Sequence, residues 1–274
     1  MNRRFVKLFY WAGAKYWMRD LLLDCLPMEY GDIYIPFAGR LDYLQILRSL
    51  GIEKHVFASD VSLRLAMAHN GVRDFCEDVI PILEEHRRYH SDDYYLAIRD
   101  RFSPEMPLAE ASADFTYISR NSYRGVIRMS ADGRCTNVNA RPNFNFDPED
   151  VREHSRFLRN TTIVAEDYSS TVKRAKPGDL VFLDPPYQGS LVHGCLKFPD
   201  NAHYRLRDVC NELDRRGVLF LMTNGPSPYI RHIYRDYRIE GIEAPRILGR
   251  AKNGGRDTEL LITNYARILA RHAA

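Results

Sequence analysis

The chain has 274 residues, 45% of them apolar, and a formal net charge of +3; this suits one large α/β domain, or a domain with a sizeable insertion, and excludes a disordered or fibrous chain. So modest a charge does not by itself specify a nucleic-acid partner, yet the basic residues are overwhelmingly arginine, the side chain suited to bidentate contact with phosphates and base edges. Five cysteines (Cys25, Cys76, Cys135, Cys195, Cys210) without C-x-x-C or zinc spacing, no apolar run long enough for a bilayer and no cleavage pattern after Met1 give no support to a disulfide scaffold, a membrane span or a secretory leader, and predict free thiols in the cytosol.

In chain order, Tyr16 to Leu26 is apolar at helical spacing, and Asp32 to Gly39 reads as a short strand running into a turn. Leu41 to Leu50 reads as the next helix, and Lys54 to Asp60 as a second strand ending in an acid, which completes a βαβ unit. Asp60 follows Gly39 by 21 residues, the separation at which dinucleotide-binding folds place a ribose-binding acid, although acids at strand ends also cap helices. From residue 61 the rhythm changes. Ser62 to Arg73 and Val79 to Arg101 read as helices and Arg141 to Pro148 as a loop. His86 and His90 are four apart but lack a third ligand nearby, so a solvated helix face is favoured over a metal site. Strand and helix alternate again through Thr161 to Asp167, Leu180 to Asp184, Arg205 to Arg215 and Gly217 to Asn224. Tyr237 to Glu243 and Thr258 to Tyr265 are expected to pair as an antiparallel edge. The predicted organisation is one α/β domain, residues 1–60 and 161–274, split by an insertion over 61–160.

The most informative segment is Asp184-Pro185-Pro186-Tyr187, which closes the apolar run Leu180 to Leu183. Open α/β sheets place their chemistry at such carboxyl ends. Consecutive prolines fix the backbone in an extended form and remove two N–H donors. What remains is a rigid shelf of acceptors beside an aromatic ring. An exocyclic amine such as N6 of adenine or N4 of cytosine, with two donors on a planar ring, is its complement, so the shelf is read as a site for a flipped base. The plain alternative is a strand ending in a proline turn.

Together with three other segments this tetrapeptide resembles the DNA adenine methyltransferase family of the Dam type, the D12 class. Trp11-Ala12-Gly13-Ala14-Lys15 is similar to the family's W-A-G-G-K, Pro36-Phe37-Ala38-Gly39 to its P-F-x-G, and Glu259-Leu260-Leu261-Ile262-Thr263-Asn264-Tyr265 to its carboxyl-terminal strand. The resemblance implies a Rossmann-like S-adenosylmethionine-dependent methyltransferase sheet with an inserted, mainly helical target-recognition domain that carries a β-hairpin. It also implies double-stranded DNA as substrate, no metal, a monomer on DNA or else a weak dimer, and a bacterial or phage cytoplasm or nucleoid. By position, Trp11 and Lys15 would contact S-adenosylmethionine, Phe37 and Gly39 would line its pocket, Asp60 would hold its ribose, and Asp167 would lie near its adenine. Asp184 and Pro186, set by Pro185, would accept the target amine while Tyr187 stacks on the base. The stretch Ser119 to Arg134 is similar to the family's base-reading hairpin around an Asp132-Gly133 turn, which places Arg120, Asn121, Tyr123, Arg124 and Arg128 at DNA, with Arg128 on the position of a guanine-reading arginine.

The chain also departs from the pattern. Arg40 and Leu41 stand where relatives carry further glycines, and a bulky Arg40 is expected to narrow the approach to the cofactor. Arg124 replaces an asparagine and Arg134-Cys135-Thr136 replaces E-F-N, so a GATC-like site does not follow. A weakly active or inactive DNA-binding regulator, and a methyltransferase acting on cytosine N4 or RNA adenine, remain the alternatives.

Overall fold

The computed structural model describes residues 5–11, 13–130, 134–188, 191–192, 196–243 and 258–266. Five strands form the parallel part of a seven-stranded sheet: β1 (Ile33–Pro36), β2 (Val56–Asp60), β3 (Thr161–Ala165), β4 (Leu180–Leu183) and, after a two-stranded ribbon of β5 (Leu191–Val192) and β6 (Leu196–Lys197), β7 (Leu219–Asn224). β8 (Arg238–Glu243) and β9 (Thr258–Thr263) complete it in the order β3-β2-β1-β4-β7-β9-β8. Every residue of β1 and β4 is buried, as expected of central strands covered by helices on both faces. The order reverses between β1 and β4, which makes their carboxyl ends the topological switch point.

The last two strands do pair antiparallel, but only β8 is an edge: β9 lies between β7 and β8, antiparallel to both. Because β9 runs against the parallel strands, its first residues sit at the edge where those strands end; Leu260 pairs with Asn224, the last residue of β7.

Two apolar clusters cover the two faces. One, including Tyr34, Val181 and Phe220 of the sheet, is closed by α7 (Tyr168–Lys173), α8 (Asp200–Arg215) and α9 (Pro228–Ile233) through Val172, Leu206 and Ile230. The other joins Phe9 and Ile35 to α2 (Asp42–Ser49), α3 (Leu63–Tyr89), α5 (Leu108–Asn121) and α6 (Pro148–Phe157) through Leu44, Val72, Phe115 and Phe157. That core runs uninterrupted from the first sixty residues into the inserted segment. A short helix, α1 (Arg19–Asp24), occupies part of the stretch expected over Tyr16 to Leu26.

Three features of the insertion differ from the sequence reading. Ser62 to Arg73 and the helix expected from Val79 belong to one long α3, kinked at Phe75 (φ −135°, ψ 34°) and containing Pro81. It ends before His90, and α4 (Asp92–Asp100) follows, capped by Ser91. α5 and α6 were not expected. α5 crosses α3 so tightly that a Cβ at Gly71 would lie 2.1 Å from the Leu108 carbonyl oxygen. His86 is buried rather than solvated, bonded to Tyr94 (2.9 Å) and Asp114 (3.1 Å), and His90 bonds Tyr117 (2.8 Å) and the Arg141 carbonyl (3.1 Å). Beyond α5 the chain forms an arm with one antiparallel bridge, Met129 to Cys135, flanked by Ser130 N to Arg134 O (2.8 Å) and Thr136 N to Arg128 O (2.9 Å). The neck of the arm is closed where Ala140 N donates to Asn121 O at 2.8 Å. The Asp132-Gly133 turn lies outside the described residues.

Candidate active site

At the end of β4, Asp184 Oδ1 receives the Lys15 ammonium at 3.1 Å and the Thr223 hydroxyl of neighbouring β7 at 2.8 Å. Oδ2 accepts no hydrogen bond among the described residues, so only one of the two oxygens is fixed there by the protein. Lys15 is only 4% exposed; its ammonium also lies 3.9 Å from Glu259 Oε2 and 4.8 Å from the centroid of the Tyr187 ring. The Tyr187 hydroxyl donates to the same Glu259 oxygen at 2.9 Å. Burial raises the Asp184 carboxyl above its ordinary value, and Lys15 and Thr223 pull it back. Burial, together with the charges of Asp184 and Glu259, holds the Tyr187 phenol protonated and therefore a donor.

The turn after β1 is the second element. Phe37, Gly39 and Leu41 all have positive φ (92°, 46° and 59°), which costs of order 1–3 kcal/mol at each non-glycine and persists only where the surroundings enforce it. They do enforce it. Ser59 O accepts from Phe37 N (2.9 Å) and Ala38 N (2.7 Å), Asp60 Oδ2 from Gly39 N (3.2 Å), and Asp60 Oδ1 from Ser62 N (3.0 Å). On the far side His69 Nε2 meets Gly39 O at 2.8 Å. Trp11 closes over the turn: a Cβ on Gly39 would lie 3.2 Å from its indole ring. Arg40 does not crowd this approach as expected. Its buried guanidinium pairs bidentately with Asp42 (2.7 Å twice), whose Oδ2 also accepts Lys15 N (2.8 Å) and Tyr16 N (3.3 Å). Arg40 thereby fixes the segment that carries Lys15.

Third, Asp167 after β3 caps α7, its Oδ1 accepting from Ser169 N (3.0 Å) and Arg205 (2.7 Å). Its Oδ2 accepts no hydrogen bond among the described residues. Phe37 stacks on Tyr168 with centroids 4.9 Å apart. The ends of β1, β2 and β3 therefore present an aromatic wall and two ordered carboxylates, acceptors suited to ribose hydroxyls and an adenine amine. Those donors are present in S-adenosylmethionine, so the residues fit that group. Among the described residues no group of three or more His, Cys, Asp or Glu could hold a metal ion.

The residues assigned to DNA separate into two sets. Arg120 and Asn121 belong to α5 rather than to the arm: Arg120 donates to Lys7 O at 2.9 Å and lies over the Tyr10 ring, while Asn121 is 1% exposed and donates to Tyr117 O at 2.8 Å. The buried Asn121 side chain offers nothing to a groove, which corrects its assignment to DNA. Tyr123 and Arg128 are exposed on the arm; the Arg124 side chain lies outside the described residues. Arg128 is set by Asn137, whose Oδ1 accepts Arg128 N and whose Nδ2 donates to Val126 O, each at 2.7 Å. Lys15, expected at the cofactor, directs its ammonium to Asp184 and Glu259 at the shelf. Thr223, Glu259, Asp42 and Asn137 were not singled out; an acid heading the final apolar strand was the one available signal, for Glu259.

The family model described as D12 class N6 adenine-specific DNA methyltransferase matches residues 11–246. The chain is 29% identical to the type II methyltransferase M1.LlaDCHI of Lactococcus lactis subsp. cremoris, across 93% of this chain and 94% of that protein. It is 23% identical to a DNA adenine methylase of Vibrio cholerae, across 99% of each. Among solved structures it is similar to a precorrin-6y C5,15-methyltransferase of Geobacter metallireducens, at 10% identity and a TM-score of 0.41, covering 95% of this chain and 99% of that one.

Proposed function

The chain belongs to the D12 class N6 adenine-specific DNA methyltransferase family, and from that premise we propose that its shelf after β4 holds an adenine flipped from double-stranded DNA while N6 takes a methyl group at a defined sequence. The observation that carries the site assignment is Asp184, with one oxygen tied to Lys15 and Thr223 and the other unclaimed among the described residues. S-adenosylmethionine supplies an electrophilic methyl group on a sulfonium. Trp11, Phe37 and Gly39 would line its side of the crevice, Asp60 would take the ribose hydroxyls and Asp167 would lie by its adenine.

The N6 lone pair is delocalised into the ring and is a poor nucleophile. Asp184 Oδ2, with a carbonyl of the Pro185-Pro186 backbone, accepts the two amine hydrogens and favours the tetrahedral nitrogen. Positive charge developing there is stabilised by a carboxylate that Lys15 keeps ionised despite its burial. Tyr187 stacks on the base, and the prolines fix the alignment on which the proximity contribution depends. The proton shed by N6 passes first to Asp184 Oδ2.

Arg128 and Tyr123 on the arm face DNA, Arg128 to read a base edge and Tyr123 to occupy the stack the adenine leaves; Arg124 is proposed beside them from its position alone. The sheet with residues 1–60 and 161–274 is the catalytic part, residues 61–160 the recognition part, and the protein works as a monomer on DNA in the cytoplasm. The test is Asp184→Ala in cells lacking other adenine methylation, followed by sequencing of native DNA for N6-methyladenine. The wild type marks a defined motif and the variant marks none while still binding DNA; marking at the wild-type level would remove the shelf from the chemistry.

A further inference from the structure

Tyr187 is held from several sides. Its hydroxyl donates to Glu259 Oε2 at 2.9 Å, the Lys15 ammonium lies 4.8 Å from its ring centroid, and Gly225 approaches so closely that a Cβ there would lie 3.2 Å from Cδ2. Glu259 is 8% exposed and is followed in β9 by the fully apolar Leu260, Leu261 and Ile262. A carboxylate at such a position is costly unless paired. Lys15 and Tyr187 at the shelf are among its partners, and the reversed direction of β9 delivers it there.

We propose that Glu259 is a positioning residue for methyl transfer, which through its hydrogen bond to the phenol sets the plane of the Tyr187 ring against which the target base stacks. This rests on reading the shelf as the methyl-transfer site. Gly225 bounds the ring from the next loop, and Lys15, shared between Asp184 and Glu259, links ring orientation to the acceptor that holds the amine.

The experiment is a double-mutant cycle of Glu259→Ala and Tyr187→Phe, with Glu259→Gln as the conservative variant, in single-turnover methylation of a duplex carrying the motif found in vivo. A hydrogen bond to a charged group corresponds to a loss of about ten- to hundred-fold. Each single change slows transfer by that factor, the double variant is no slower than the slower single, and Glu259→Gln, which keeps an acceptor for the phenol, recovers most of the rate. With 2-aminopurine at the target adenine, both single variants give the same altered fluorescence on base flipping. Multiplicative losses in the double variant, or Glu259→Gln as slow as Glu259→Ala, would overturn the proposal. Should Glu259→Ala fail to fold, Tyr187→Phe decides, since wild-type rate and fluorescence in that variant are equally fatal. An inactive Asp184→Ala beside a fully active Glu259→Ala rejects this proposal alone; an active Asp184→Ala rejects the shelf itself.

Discussion

Asp184 titrates under opposing influences, burial raising its pKa and Lys15 and Thr223 lowering it, with a net upward displacement. The ionised form is the one that accepts an amine, so a raised pKa means that turnover falls with pH before ordinary carboxylates begin to protonate. Single-turnover rates followed from neutral to acid pH should therefore decline through one protonation above the usual aspartate range. Lys15→Ala removes the nearest opposing charge and should move that midpoint higher still; a downward move would contradict the part given to Lys15. The Asp-Pro-Pro-Tyr shelf was legible because proline dictates backbone geometry locally. Glu259 and Thr223 were not, because their meaning depends on which strands follow β4 across the sheet: β7 for Thr223 and, beyond it, β9 for Glu259. Arg120 gives the opposite lesson: a basic residue next to a nucleic-acid-like segment serves two backbone carbonyls and a tyrosine ring. Arg120→Ala should lower the melting temperature and leave the methylated motif unchanged.

Among elements, the parallel strands were readable as uninterrupted apolar runs, whereas α5 was hidden by its own composition. Ser112, Asp114, Thr116, Ser119 and Asn121 are buried in it alongside Ala113, Phe115, Tyr117 and Ile118, and a helix buried nearly all round with mixed residues shows no single apolar stripe. The turn after β1 lacks the further glycines that the family resemblance implies and accepts two non-glycine residues at positive φ because surrounding hydrogen bonds enforce them. His69, one of those restraints, is buried against His154, with His154 Nε2 3.4 Å from His69 Nδ1. Burial lowers His69 to about 4 and His154 well below the ordinary value of 6.5. Both are thus neutral when folded and take up protons more readily when unfolded. Their contribution is fully present above about pH 6.5 and is lost as pH falls toward the folded values, by about 1.4 kcal/mol per pH unit for each histidine. Urea melts between neutral and acid pH should show this decline, and His69→Gln should flatten it; an unchanged slope would mean that His69 is already charged in the fold.

Across the whole molecule, order of motifs made the sheet and its chemistry legible, but it did not disclose that the inserted helices share a core with the sheet. Phe9, Ile35, Val72, Phe115 and Phe157 belong to one cluster, so the inserted helices and the sheet are joined by packing rather than by a linker. The proposal that the arm sets sequence choice has a direct test. Arg128→Ala should relax the preferred motif by about 1–3 kcal/mol of discrimination at one base while slowing the best site less. Uniform loss over all sequences, with a shallower salt dependence, would make Arg128 a phosphate contact instead. The closed neck has a practical corollary. Because Ala140 N returns to Asn121 O, the chain enters and leaves the arm at one place, so a relative's residues between those two points form a cassette that could be transplanted. Such a chimaera would inherit the donor's target motif while keeping the host's catalytic machinery, provided that Asn137 travels with the graft.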